Sequence, residues 1–440
     1  MARGFADIPA ARRFVLANAT IPAVLLDGTA GAPDGLASRD IIIADGRIER
    51  IASAGRADPA LPRLDLDRGM VWPCFVDMHT HLDKGHTWPR KANPDGTFMG
   101  ALNAVQTDRE ANWSATDVRR RMDFALRTAY AHGTALIRTH IDSLPPQHRI
   151  SWPVFAEMRD AWAGRIELQA VPLFTIDMAF DDPWLAELIA EVRRFGSGIL
   201  GAVAYMIPEL DRALDRVFRL AMDNGFDLDF HVDESEDPAA RSLEWIAEFA
   251  QRFNFPGAIT VGHCCSLALQ PDAAGTIAKL RDAGIAVVSL PLCNMYLQDR
   301  RAGRTPRWRG VTLLHEMRAA GIPVAVASDN TRDPFYAYGD LDMVEVFREA
   351  VRILQLDHPV AAWPDAVTRS PAAIIGRPDR GRIAEGAPAD LVLFRARDWT
   401  EFLSRPQSDR TVLRAGRAID RTLPDYRELD DLMEKAKVEA

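Results

Sequence analysis

The sequence predicts an α/β protein built on a TIM (β/α)8 barrel, with a small β-sandwich domain assembled from both chain ends. Three observations predict it. Eight apolar, β-branched runs alternate with amphipathic segments through the middle of the chain; hairpin patterns stand near both ends; and histidines collect where the predicted strands end.

Near the N-terminus, Phe14 to Asn18, Asp40 to Ala44 and Arg47 to Ser53 read as short strands, with Asp45-Gly46 as a hairpin turn. The same grammar returns late in the chain. Gly386 precedes the turn-like Ala387-Pro388-Ala389-Asp390, the run Leu391 to Phe394 follows, and Thr411 to Ile419 carries a turn signal at Gly416. Residues 1–66 and 378–424 are thus expected to form one composite β-sandwich domain around a barrel at 67–377. The acidic, lysine-containing stretch 425–440 is expected to be a solvated helix or a frayed tail.

The eight barrel runs are Phe75 to His81, Thr134 to Asp142, Ile166 to Phe174, Gly198 to Met206, Phe226 to Glu234, Ala258 to Cys265, Ala286 to Asn294 and Val324 to Asn330. Eight is the number that a TIM barrel requires. The clearest helix is Glu209 to Asn224, where Leu210, Ala213, Leu214, Val217, Phe218 and Ala221 recur at helical spacing and Gly225 stops it.

Composition narrows the function. Of 440 residues, 48% are hydrophobic and 26% charged, which is ordinary folded usage. A net charge of -9 and the lack of a basic stripe exclude nucleic acid as the main partner and favour a small molecule. Cys74, Cys264, Cys265 and Cys293 lack C-x-x-C spacing, so neither a structural zinc site nor a disulfide framework is indicated. The start of the chain does not read as a leader, and no run of 18 apolar residues occurs, so no membrane role and a cytoplasmic location are expected.

Five of the ten histidines, His79, His81, His140, His231 and His263, fall at or near the C-terminal ends of predicted strands, where this fold builds its active sites. In His79-Thr80-His81 the two rings share one face of a strand and can reach one ion. His231 ends the fifth strand and Asp329 the eighth. Three imidazoles and a carboxylate suit Zn, Fe or Mn and leave room for a water. Taken singly, Asp329 reads equally as a cap and His231 as a hydrogen-bonded core ring.

The runs Phe75-Val76-Asp77-Met78-His79-Thr80-His81-Leu82-Asp83, Arg138-Thr139-His140-Ile141-Asp142, His231-Val232-Asp233-Glu234, Gly262-His263, Pro291-Leu292-Cys293-Asn294 and Ser328-Asp329-Asn330 with Asp333-Pro334-Phe335 together resemble the cytosine deaminase branch of the amidohydrolase superfamily. The resemblance implies hydrolytic loss of ammonia from a cytosine-like ring through attack by metal hydroxide. By motif, His79, His81, His231 and Asp329 look like the ligands of a Zn or Fe ion, Glu234 like a proton shuttle, and His263 like a residue that assists the bound water. Asp329 would also accept that water's proton. His140 matches a position near the site, with a structural role as the alternative.

Binuclear members of that superfamily usually bridge their ions with a lysine on the fourth strand. None of Lys84, Lys91, Lys279, Lys435 and Lys437 lies there, so one divalent metal per chain is expected. The same fact counts against a cyclic amide hydrolase, and the missing P-C-x-x-C motif counts against the zinc nucleobase deaminases. A non-enzymatic binder is opposed by the full set of ligand and proton-carrying residues.

Two departures bear on the substrate. Thr175 stands where cytosine deaminases place a glutamine, and a single hydroxyl cannot make that carboxamide's paired contacts. Asn330 follows the ligand Asp329 where a second aspartate is common, and Ser328-Asp329-Asn330 is also similar to isopropylammelide aminohydrolases. An aminotriazine, isocytosine or creatinine is therefore the alternative substrate. Thr175, His140, Asn330 and Phe335 are the expected substrate contacts, with Phe98, Met206 and Trp88 as further lining candidates. Cys264 and Cys265 read as buried, inert thiols. A homo-oligomer is compatible with the resemblance, but the chain carries no interface signature.

Overall fold

The computed structural model describes residues 4–28, 33–196 and 198–438. Residues 1–3 and 29–32 of the expected β domain, and 439–440 of the expected tail, lie outside the described residues. The chain forms two compact units, Met1–Asp77 with Arg127–Leu136 and Leu341–Pro424, and Met78–Leu126 with Ile137–Asp340 and Asp425–Ala440.

The first unit holds two four-stranded sheets. One orders β3 (Arg47–Ser53), β2 (Leu36–Ala44), β1 (Arg13–Pro22) and β4 (Arg63–Asp65). Asp45 and Gly46 both adopt positive φ, 47° and 81°, and this is the conformation that an Asp-Gly hairpin turn requires. The expected end of β1 at Asn18 is an irregularity in its pairing with β2. Asn18 is left-handed, its N–H passes to Asp40 Oδ1 at 3.0 Å, and the strand continues to Pro22. Pairing resumes after the bulge, so the polar residue marked a kink and not a stop.

The second sheet draws on both chain ends: β5 (Val71–Pro73) pairs antiparallel with β14 (Leu391–Leu393), followed by β15 (Thr411–Arg414) and β16 (Arg417–Ala418). Phe14, Leu16, Ile41, Ile43 and Ile48 of the first sheet join Val71, Leu391, Leu393 and Leu413 of the second in one buried cluster. Alternate residues along each strand supply it, as the period of two demands.

In the second unit, β9 (Ile199–Ala204), β10 (Asp227–Val232), β11 (Ile259–His263), β12 (Ala286–Ser289) and β13 (Val324–Val326) form a parallel sheet in sequence order. A further sheet orders β6 (Phe75–Thr80), β7 (Thr134–Asp142) and β8 (Glu167–Leu173). Parallel bridges also join Thr80 to Asp329 and Thr175 to Val203. The strands are almost wholly buried, which is why they read as continuous apolar runs.

The helix Leu210–Asn224 buries Leu210, Ala213, Leu214, Val217, Phe218 and Ala221, and Gly225 ends it at φ 64°. Two readings need correction. The run Ala286 to Asn294 does not stay extended, because Pro291, preorganised for a first helical turn, opens the helix Pro291–Leu297 and makes Asn294 helical. The stretch after Tyr426 is helical, one of the two expected forms, at Asp430–Val438, but it is docked and not simply solvated: Leu429, Leu432 and Met433 bury themselves with Phe124, an apolar face hidden within an acidic composition. Among the described residues, no helix is long and apolar enough to cross a membrane.

Candidate metal centre

Strand periodicity explains how the site is layered. Arg138 and His140 project from one face of β7, and Asp229 and His231 from one face of β10. In the lower layer, Arg138 Nη1 donates to Asp229 Oδ2 at 2.9 Å, both groups being buried. Burial raises Asp229 to about 6 against the opposing pull of Arg138. The upper layer is made of imidazoles.

His79, His81, His231 and Asp329 converge as expected. His231 Nε2 lies 3.1 Å from His79 Nε2 and 3.3 Å from His81 Nε2. Asp329 Oδ1 lies 3.1 Å from His81 Nε2 and 3.8 Å from His79 Nε2. All four are at least 94% buried, with exposures of 0, 4, 6 and 1%. Two nitrogens, each about 2.0–2.1 Å from one tetrahedral ion, would stand about 3.3 Å apart, and the two nitrogen separations at His231 match. Burial first, then neighbouring imidazoles and Lys84, drives the histidine pKa values well below normal, so the rings are neutral donors. The donor set fits a divalent cation.

His140 joins this cluster from beneath. Its ring centre is 4.0 Å from that of His79, it is fully buried with Nε2 4.0 Å from Asp229 Oδ1, and neither ring nitrogen has a hydrogen-bond partner among the described residues. His79, His140 and His231 also bring one donor atom each within 4.8 Å of one another.

Glu234 stands just beyond β10 with 12% of its side chain accessible. Asn294 Nδ2 donates to Glu234 Oε1 at 3.2 Å and lies 2.8 Å from His263 Nδ1, while Glu234 Oε1 and His263 Nδ1 are 3.4 Å apart. Since Asn294 donates to Nδ1, His263 carries its proton on Nε2, a buried atom with no hydrogen-bond partner among the described residues. Burial, with a contribution from Lys84, lowers His263 to about 3 and keeps it neutral. Burial and the facing Asp329 raise Glu234 well above the usual carboxylate range, although Lys84 and Asn294 oppose the shift.

The remaining expected contacts divide. Phe335 packs edge-on against Phe98 at 5.4 Å and lies under the buried Lys84, whose Nζ is 4.6 Å from its ring centre. Asn330 is tied into the protein, donating to Asp333 Oδ2 at 2.7 Å and receiving the Cys293 thiol at 3.5 Å. Thr175 sits just past β8, half-buried and bridged to Val203. Met206 is 42% exposed and turned to solvent. Cys264 and Cys265 are buried free thiols whose pKa burial pushes far up, as the inert reading expected.

Sequence reasoning missed Lys84 and Asn294. Lys84 follows the metal-ligand pattern in His81-Leu82-Asp83-Lys84, and its place three residues beyond His81, in a chain with only five lysines, was the available signal. Asn294 was part of a recognised run but received no role, because its reach depends on the short helix that replaced the expected strand.

A parallel α/β scaffold that gathers three imidazole nitrogens and a carboxylate oxygen at its strand ends is that of a metal-dependent hydrolase. Residues 184–420 match the model described as the amidohydrolase family. The chain is 62% identical to pterin deaminase of Rhizobium rhizogenes over 98% of its length and all of that protein. The chain belongs to the amidohydrolase family. It is also 25% identical to N-isopropylammelide isopropyl amidohydrolase of Pseudomonas sp. strain ADP, covering 75% of this chain and 81% of the other. In fold it resembles 5-methylcytosine deaminase from Klebsiella pneumoniae, with a TM-score of 0.78, 24% identity, and coverage of 94% and 98% of the two chains.

Proposed function

We propose that the protein is a metal-dependent deaminase that hydrolyses the exocyclic C–N bond of a pterin ring and releases ammonia. The observation that carries this reading is the 62% identity to a pterin deaminase across 98% of the chain. It moves the substrate away from the cytosine-like ring of the sequence reading. The pyrimidine half of a pterin is an isocytosine, which was among the alternative rings.

In this reading water adds to the carbon bearing the amine, the C–N bond breaks, nitrogen leaves as ammonia, and the carbon keeps the oxygen as a carbonyl. His79, His81, His231 and Asp329 would hold one Zn or Fe ion, which when bound supplies water acidified from about 15.7 to about 7. Asp329 would take the first proton. Glu234 carries a proton to the ring nitrogen beside the reacting carbon and then to the departing amine. Asn294 holds Glu234 against His263, and the Nε2–H of His263 donates toward the oxygen at that carbon. Phe335 and Phe98 offer an apolar face to a flat ring, with Lys84 above it, and Thr175, His140 and Asn330 are the remaining substrate-side candidates.

The scaffold belongs to the same proposal. The bridges Thr80–Asp329 and Thr175–Val203 support reading β6 to β13 as one closed (β/α)8 barrel over residues 67–377. The shared core of the two four-stranded sheets supports a composite β-sandwich from residues 1–66 and 378–424, to which Val71–Pro73, expected in the barrel, is added as an edge strand.

The test is ammonia release by the purified protein with pterin, isocytosine, cytosine, 5-methylcytosine, creatinine and aminotriazines. A kcat/KM for pterin on the order of 100-fold or more above cytosine is expected. Turnover of cytosine with pterin inert would restore the first reading.

A further inference from the structure

The loop after Asp329 carries Asn330, Asp333 and Phe335; its middle is tied by Asn93 Nδ2, which donates to Pro334 O at 3.0 Å, and by the Cys293 thiol on Asn330 Oδ1, and its ends are held by two further kinds of contact. One is with the loop bearing Lys84: His86 N–H donates to Thr331 O at 2.9 Å, and Trp88 N–H to Arg332 O at 2.8 Å. The other is with the C-terminal segment. Tyr426 Oη donates to Asp340 Oδ1 at 2.8 Å, and the Arg332 guanidinium lies 4.1 Å above the Tyr426 ring. One side chain therefore grips both ends of the loop.

We propose that Tyr426 is a positioning residue that fixes the 330–340 loop, and with it Asn330 and Phe335, against the metal centre. Its own base is secure without that loop. The Tyr426 ring stacks on Phe124 at 5.5 Å; Leu429, Leu432 and Met433 are buried behind it; and Asp431 accepts two bonds from Arg120 at 2.6 and 2.7 Å. Tyr426 is 43% exposed, so its removal opens no core cavity. The loop turns through left-handed residues at Arg332 and Gly339. The bonds Arg332 N–H to Tyr338 O and Asp333 N–H to Tyr336 O close it, Asp333 also accepts from Asn330 Nδ2 and from the Phe335 and Tyr336 N–H groups, and Tyr426 reaches past these to the two ends.

Hydrogen exchange tests the clamp without any substrate, so its outcome is separate from the pterin reading. Tyr426→Ala should speed exchange in residues 330–340 by about ten-fold, leaving β9 to β12 and the metal content unchanged. Tyr426→Phe keeps the ring contacts, loses the bond to Asp340, and should fall between Ala and wild type. On whichever ring the enzyme deaminates, Tyr426→Ala should raise KM by about ten-fold and change kcat by less than about three-fold, with most of the loss rescued by Phe. Unchanged exchange in 330–340, or exchange that rises equally across the chain, would overturn the proposal. So would a loss confined to kcat.

Discussion

His81 Nε2 and Asp329 Oδ1 stand 3.1 Å apart, although one follows β6 and the other β13. A simple hydrogen bond and a shared cation both produce such a spacing, but they differ in what removal of one partner does. With a shared cation, His81→Ala and Asp329→Ala each cost bound metal. Elemental analysis should find about one equivalent per wild-type chain and about a tenth of that or less in either variant. Two equivalents in active enzyme, or activity that survives exhaustive chelation, would contradict a single catalytic ion.

Glu234→Gln keeps the shape of the side chain and its contact with Asn294 but cannot carry a proton. The variant should retain its metal and lose turnover by about 100- to 10,000-fold. Steady-state rates beside metal content check this, and near-wild-type turnover would remove Glu234 from the proton path.

The buried pair Arg138–Asp229 supports the imidazole layer from below. Arg138→Met strands the carboxylate and should cost about 3–5 kcal/mol in urea unfolding, whereas Arg138→Met with Asp229→Leu should recover most of that loss. If the double variant were as unstable as the single, the charge would not be the cause.

In the other unit, Asp342 is held by Arg410 through two bonds of 2.6 Å, with His132 at 3.6 Å, and it caps the helix Met343–Leu354. Burial alone would raise its pKa, but Arg410 and then His132 outweigh burial and hold it well below the usual range. A folded pKa below the unfolded value of about 3.9 means that this stabilisation is complete above pH ~4 and is lost as pH falls further. Asp342→Asn should lower the melting temperature at pH 7 and flatten its decline below pH 4. Parallel acid profiles for variant and wild type would refute the assignment.

Much of this was legible in the sequence, because long-range order here follows local periodicity. Strands buried on both faces read as apolar runs, and all five histidines placed at strand ends do come together. Less legible were contacts that depend on where an irregular segment turns. Asn294 reaches Glu234 only because Pro291 starts a helix, and Asn330 turns its amide to Asp333 within a tight loop. Leu429, Leu432 and Met433 are spaced as a helical face, but the acidic residues between them concealed the docking. The choice of ring was the least legible feature, since it rests on side chains from several loops and no single motif encodes it.

His263 and Asp329 both sit at positive φ, 69° and 63°, a conformation that costs a residue with a Cβ on the order of 1 kcal/mol and glycine almost nothing. Glycine at either place would relax the main chain and erase the working group. Breeding this enzyme for heat resistance would therefore set durability against turnover at these two sites, and screens that score survival alone would favour hardier chains that no longer react.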